Sequence, residues 1–264
     1  MRARTNALLI GLLLAASSAS AQGEPLNQLL ERGTRQVSSY LEVISDVKCT
    51  ERVTQLRLTD SGRVQQSEES VFDYLVLLEG GADDLMLNES RMEVRPAKHK
   101  KNLPMLLTNG FATLFLIFHP YYRNSFRFQR EADDLIDGRT FARVHFDYVT
   151  GTRSPVALAV RGREYPLQLT GTAWLEPDTG MIARITATLA NDMKDVGLRS
   201  LSADIEYAPV RLPGWKQTYR FPSQAKIEVA SLRQHWRNVH RFSDYQRFLV
   251  GTEESVTKGS IKTQ

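Results

Sequence analysis

With 264 residues, a formal net charge of +4 and one cysteine, the chain is bounded before any motif is read. A charge this small gives no case for nucleic acid as a partner. The lone Cys49 excludes an internal disulfide, so stability must come from an ordinary hydrophobic core.

Residues 1–21 read as a cleavable export signal. Arg2 and Arg4 give a positive start, Ala7 to Ala16 form a short apolar stretch, and Ala19-Ser20-Ala21 supplies the small-x-small cleavage pattern. The apolar stretch is far shorter than the roughly 20 residues a spanning helix needs. No cysteine stands near the cut to carry a lipid, and no later segment is long enough to span. The expectation is a soluble exported protein, formed by residues 22–264 with a flexible tail from about 251. Without the two signal arginines its charge falls to +2.

Leu26, Leu29, Leu30, Gly33, Val37, Tyr40, Leu41 and Ile44 recur at helical spacing, which predicts an amphipathic helix from Leu26 to Ile44. Strand patterns follow at 47–58, 64–78 and 85–94. Cys49 falls in the alternating row Val47, Cys49, Glu51, Val53 and reads as a small packed residue. Lys98 to Asn102 reads as an exposed basic loop. The next segment, Gly110 to Phe118, is apolar on nearly every side, so it must be buried all round. Thr108 or Asn109 would cap it as a short helix and Pro120 would stop it. It is the natural plug for the core.

Further strands are predicted at 125–133, 139–148, 168–176, 181–190, 200–208, 215–221, 224–232 and 236–248. About eleven short strands without helix-strand alternation argue for an antiparallel sheet curling on itself. In the 125–148 hairpin, a three-residue loop Ile136-Asp137-Gly138 sets Phe128 against Phe146, Phe126 against Tyr148 and Ala132 against Ala142. It also pairs Glu131 with Arg143, Arg127 with Asp147 and Gln129 with His145. A two-residue Asp-Gly turn would oppose Phe128 to Asp147, so matched pairs favour the longer loop. A second hairpin turns at Pro177-Asp178-Thr179-Gly180. It sets Trp174 against Ala183 and Thr172 against Ile185, with Met181, Ala183, Ile185, Ala187 and Leu189 facing inward.

No hydrolase G-x-S-x-G, H-E-x-x-H, phosphate-binding loop or C-x-x-C occurs. His145 and Asp147 share a strand face, but the registry gives Asp147 to Arg127 and leaves His145 on a solvated face. His235 and His240 are five apart, point to opposite faces and cannot readily share a metal. With Arg233, Arg237, Arg241 and Arg247 they read as a solvated basic face, open to lipid headgroups or an acidic partner. Asp133, Asp134 and Asp137 fit no calcium loop. No catalytic residue, metal site or cofactor is predicted.

The order of elements, together with Trp174-Leu175-Glu176-Pro177-Asp178-Thr179-Gly180, resembles the periplasmic lipoprotein-carrier superfamily, the LolA/LolB-like proteins and their RseB-type relatives. The shared hairpin is W-x-x-P-x-T-G. The resemblance implies an α+β, mainly antiparallel fold: an incomplete barrel wrapped over the N-terminal helix and a short buried helix. It also implies a periplasmic protein whose apolar cavity holds lipid acyl chains or a lipoprotein, with peripheral membrane contact. The residues expected to line cavity and plug are Phe111, Leu114, Phe115, Phe118, Phe126, Phe128, Phe146, Tyr148, Trp174 and Ile185. The chain lacks a lipobox and is longer than the carriers, so a regulatory or interaction module docking on an envelope protein is the competing expectation. An enzyme with a dispersed site ranks last.

Overall fold

A computed structural model describes residues 25–79, 85–94, 110–160, 163–232 and 234–248. The predicted signal, the basic loop 98–102, Thr108, Asn109, Arg233 and the tail from 251 lie outside these residues.

The first helix, α1 (Leu26–Ile44), has its predicted bounds. It buries Leu29, Leu30, Gly33, Val37, Tyr40, Leu41 and Ile44, the stripe read from sequence. Then come β1 (Val47–Leu58), β2 (Val64–Glu79) and β3 (Met86–Glu93). A 3-10 turn (Leu114–Phe118) and a short α2 (Pro120–Arg123) precede β4 (Phe126–Arg130), β5 (Asp134–Ile136) and β6 (Arg139–Tyr148). A small hairpin of β7 (Ala157–Val160) and β8 (Arg163–Pro166) leads into β9 (Leu169–Leu175) and β10 (Ile182–Leu189). The last three strands are β11 (Leu198–Val210), β12 (Tyr219–Ser231) and β13 (His235–Arg247).

Eleven strands form one sheet in the order β3-β2-β1-β13-β12-β11-β10-β9-β6-β4, with β5 also paired to β6. Each pair of neighbours runs antiparallel. The ends of the order, β3 and β4, do not pair with each other, so the sheet stays an incomplete barrel. Alternation fixes the inner face: Val47, Cys49, Glu51 and Val53 of β1 are buried and their neighbours are not. A continuous core joins that face to α1 and to the 3-10 turn.

Three local readings are corrected. The segments 215–221 and 224–232 are one strand, β12, running through Pro222. Proline lacks the ladder N–H, and the register against β11 shifts beside it, between Glu206 and Tyr207. In the first hairpin, every predicted pair from Phe126↔Tyr148 to Gln129↔His145 forms. Glu131 also reaches Arg143, at 2.8 Å. The tip, however, is the two-residue Asp137-Gly138 turn, with φ of 49° and 75°, closing Ile136↔Arg139. One extra residue between Arg130 and Asp134 reconciles the two registers, and Ala132 falls in that irregular stretch rather than against Ala142.

The second hairpin repeats this behaviour. Glu176 N–H bonds Met181 O at 2.9 Å and Leu175 opposes Ile182, as the turn predicts. A bulge at Ala183 then shifts the ladder, so Trp174 opposes Arg184 rather than Ala183, and Thr172 opposes Thr186. Ile182 is buried in place of Met181 and Ala183, while Ile185 and Ala187 keep the inward positions predicted for them.

Candidate functional site

Every residue from Phe111 to Phe118 is buried, as an all-round apolar segment requires. The plug is tied at several points. Gly110 N–H donates to Glu89 Oε1 at 2.7 Å, and Tyr207 Oη donates to the Ala112 carbonyl at 3.4 Å. Thr34 of α1 donates to the Phe118 carbonyl at 3.0 Å. Pro120 ends the plug but also opens α2, where His119 Nδ1 accepts the Tyr121 N–H at 3.2 Å. Burial lowers the His119 pKa.

Nine of the ten residues predicted to line the cavity or plug are on the inside. Phe118 stacks on Phe128 at 5.3 Å, and Phe126 meets Phe146 and Tyr148, each at 5.8 Å. Leu114, Phe146 and Ile185 are fully enclosed, and Phe111 and Phe115 nearly so. Trp174 is the exception. Lying between the inward Ala173 and Leu175, it faces outward, where its Nε1 donates to Asp134 at 3.0 Å and Arg184 lies over its ring at 5.1 Å.

Larger clefts of about 400 and 670 Å³ lie elsewhere, beside Thr186 and Asp204 and beside Arg163 and Lys194, but the apolar spaces lie between α1 and the sheet rather than under Phe126 and Phe146. One cavity of about 40 Å³ is lined by Val37, Tyr40, Phe115, Ile182 and Tyr207, with Gln36, Met181 and Arg220 half-buried around it. A second, of about 20 Å³, is lined by Tyr40, Ile44, Cys49, Tyr74, Phe221 and Tyr245 among others. Such volumes hold a few water molecules, far short of the roughly 300 Å³ of a small-molecule pocket. Burial pushes the Cys49 thiol up to about 12 and raises Tyr40 well above its ordinary value.

The W-x-x-P-x-T-G hairpin fastens α1 over this space. Arg32 donates to the Pro177 carbonyl at 2.6 Å, and Gly180 lies against the backbone of Arg32 and Gly33. Glu176 receives Arg220 at 2.6 Å and Thr179 at 2.9 Å. Burial alone would raise that carboxyl, yet the Arg220 and Thr179 hydrogen bonds hold it below the usual range.

A polar cluster, unforeseen as a unit, occupies the inner face of the other sheet end. Arg91 forks onto Glu51 at 2.6 and 3.0 Å and reaches Glu89 at 2.7 Å. His240 Nδ1 lies 2.7 Å from Glu51. His240 is therefore interior, which corrects its assignment to a solvated basic face. Burial opposes the charge on Glu51, but the His240 and Arg91 hydrogen bonds keep its pKa low. His235 does lie outside, on Glu228 at 2.8 Å. His145 and Asp147 are part-exposed and 3.3 Å apart, and Thr170 takes the other Asp147 oxygen at 2.7 Å. Among the described residues no group of three or more His, Cys, Asp or Glu is arranged to hold a metal ion. Among them, too, no helix is long and apolar enough to cross a membrane.

No protein-family model matches the chain, and no curated protein matches it in sequence. Among solved structures it is similar to a DUF1329 family protein from Desulfovibrio piger, at 13% identity and TM-score 0.47 over 85% of this chain and 93% of that one. It is also similar to a domain assigned to outer membrane lipoprotein sorting from Vibrio parahaemolyticus. There the identity is 13% and the TM-score 0.46, over 86% and 95% of the two chains. A LolA superfamily protein from Nitrosomonas europaea aligns at 12% identity and TM-score 0.42, over 88% and 97%.

Proposed function

We propose that this is an exported binding or carrier protein that holds an aliphatic chain, from a lipid or a lipidated protein, between α1 and the concave face of its sheet. The observation that carries the reading is the closed apolar seam. A one-faced sheet curls around α1 and the plug, and small unfilled spaces remain along their contact. The predicted export signal supports a periplasmic location, and residues 22–264 would act as one unit. Each methylene moved from water into such a seam contributes about 0.8 kcal/mol, so the chemistry suits acyl chains. The lining is mainly Tyr, Val, Ile and Phe, with Gln36 and Arg220 beside the first space and the Glu51 cluster behind Tyr74 of the second. That arrangement favours retention over reaction. The test is organic extraction of protein purified from the cell envelope, followed by mass spectrometry, alongside titration with a fluorescent fatty acid. Co-purified lipid and saturable binding are expected; neither lipid nor binding would falsify the reading.

A second reading, a docking module for an envelope protein, draws on the exposed Leu77, Leu78, Met92 and Val94 near one sheet edge. A stoichiometric protein partner captured without lipid would favour it.

A further inference from the structure

We propose that Tyr40 is the partition of a single tunnel and sets the length of aliphatic chain the protein accepts, an inference that rests on the carrier reading above. The two cavities share Tyr40 as a wall. On the stripe of α1, Val37 lines the first and Ile44 the second. Residues 37, 40 and 44 lie on successive turns of one helix face, so the spaces follow one another along the helix axis over about 10 Å. Only the Tyr40 side chain is common to that face at both.

Its ring is held from both sides. Phe115, which lines the first cavity, meets it edge-on at 4.8 Å, and Phe221, which lines the second, meets it at 4.9 Å. The two ends differ in character. Around the first cavity are the partly buried Gln36, Met181 and Arg220, of which Gln36 can meet a polar chain terminus at a mouth while Arg220 is held by Glu176. The second is lined by the buried Cys49, Tyr74 and Val76, with Leu75 and Tyr245 half-buried beside them. A chain entering beside Arg220 therefore meets the Tyr40 ring first and reaches Cys49 only once that ring gives way. Short chains stop at the ring; longer ones must displace it.

The experiment measures affinities of saturated fatty acids from octanoate to stearate, by displacement of a fluorescent fatty acid, for the natural protein, Tyr40→Phe and Tyr40→Leu. In the natural protein and Tyr40→Phe, affinity should rise with length and then level off. In Tyr40→Leu the rise should continue over further methylenes, by about fourfold for each. In parallel, fatty acids carrying a photoreactive diazirine at the methyl end are crosslinked to the natural protein and mapped by mass spectrometry. Short chains should mark Val37, Tyr40 and Phe115, and chains beyond the plateau length should mark Ile44, Cys49 or Tyr74 weakly. Identical length profiles in a folded Tyr40→Leu protein, or crosslinks outside the seam, overturn the partition while leaving the carrier reading standing. Should Tyr40→Leu fail to fold, the crosslink positions in the natural protein decide alone. Absence of any fatty-acid binding overturns both.

Discussion

Gly180 gives the sharpest test of how the W-x-x-P-x-T-G hairpin holds α1, because the chain contains its own control. Gly180 and Gly138 each sit in a tight turn at φ 75°. A side chain in that left-handed region costs about 1–2 kcal/mol, partly offset by about 0.4–1 kcal/mol from a less flexible unfolded chain. Gly138→Ala incurs only this, since a Cβ there would meet nothing within 4 Å. At Gly180 a Cβ would stand 2.6 Å from the Arg32 carbonyl carbon and the Gly33 nitrogen, and 2.7 Å from Arg32 Cβ. Ordinary contacts begin near 3.5 Å, so hairpin and helix must part by nearly 1 Å, an overpacking cost of about 1–3 kcal/mol. Gly180→Ala should therefore lose about 2–4 kcal/mol and Gly138→Ala about 1 kcal/mol. Urea titrations followed by circular dichroism, with unchanged m-values, read the difference directly. Equal losses for the two would refute the claim that the hairpin tip bears on the helix.

The interior ion cluster predicts that Glu51→Ala loses about 3–5 kcal/mol, because Arg91 and His240 lose a buried partner. Arg52→Ala, whose bond to Glu69 is half exposed, should change stability by less than about 1 kcal/mol; comparable losses in denaturant melts would contradict the contrast. Burial lowers the His119 pKa, so the unfolded chain takes up that proton first as pH falls. Stability present above about 6.5 should decline below it, and His119→Asn should flatten that part of the pH profile; an unchanged profile would rule the histidine out. With its pKa pushed up to about 12, Cys49 should react with a disulfide reagent at neutral pH only as fast as the protein opens, and freely in denaturant. Immediate labelling of the folded protein would show that the seam is open.

What was legible in the sequence was whatever depends on period. The α1 stripe and the β1 alternation each commit several residues to one face, so a single misplaced residue could not hide them. Cross-strand pairing was legible for the same reason between β4 and β6, and the plug through its lack of any polar side. What escaped was the insertion of single residues. The bulges beside Glu131 and at Ala183 cost little in local pattern yet reverse the face of everything beyond them, and so Trp174 was assigned to the interior. The ion cluster left one trace, Glu51 between the inward Cys49 and Val53. Its partners Arg91 and His240 come from strands distant in sequence, and no spacing rule joins them. Tyr40, by contrast, was visible on its helix but not as a wall, since a cavity is a property of the fit between elements.

If the proposed function holds, magnitudes choose between two ways in which the seam would admit a chain. Expelling the plug would expose Phe111, Leu114, Phe115, Leu116, Ile117 and Phe118, each contributing roughly 2 kcal/mol of burial, or roughly 12 kcal/mol together. An aliphatic chain of about fourteen methylenes gains about 11 kcal/mol on leaving water, and association itself costs at least about 4 kcal/mol. One chain therefore cannot drive the plug out. Turning the Tyr40 ring aside sacrifices two edge contacts, each worth about 0.5–1.5 kcal/mol, while the plug keeps its bonds to Glu89, Tyr207 and Thr34. On the proposed carrier function, a single chain would thus enter by threading along α1, with the seam widening from its small spaces, and not by emptying the barrel. Expulsion of the plug would require several chains arriving together, which is how a multiply acylated ligand would be told from a free fatty acid.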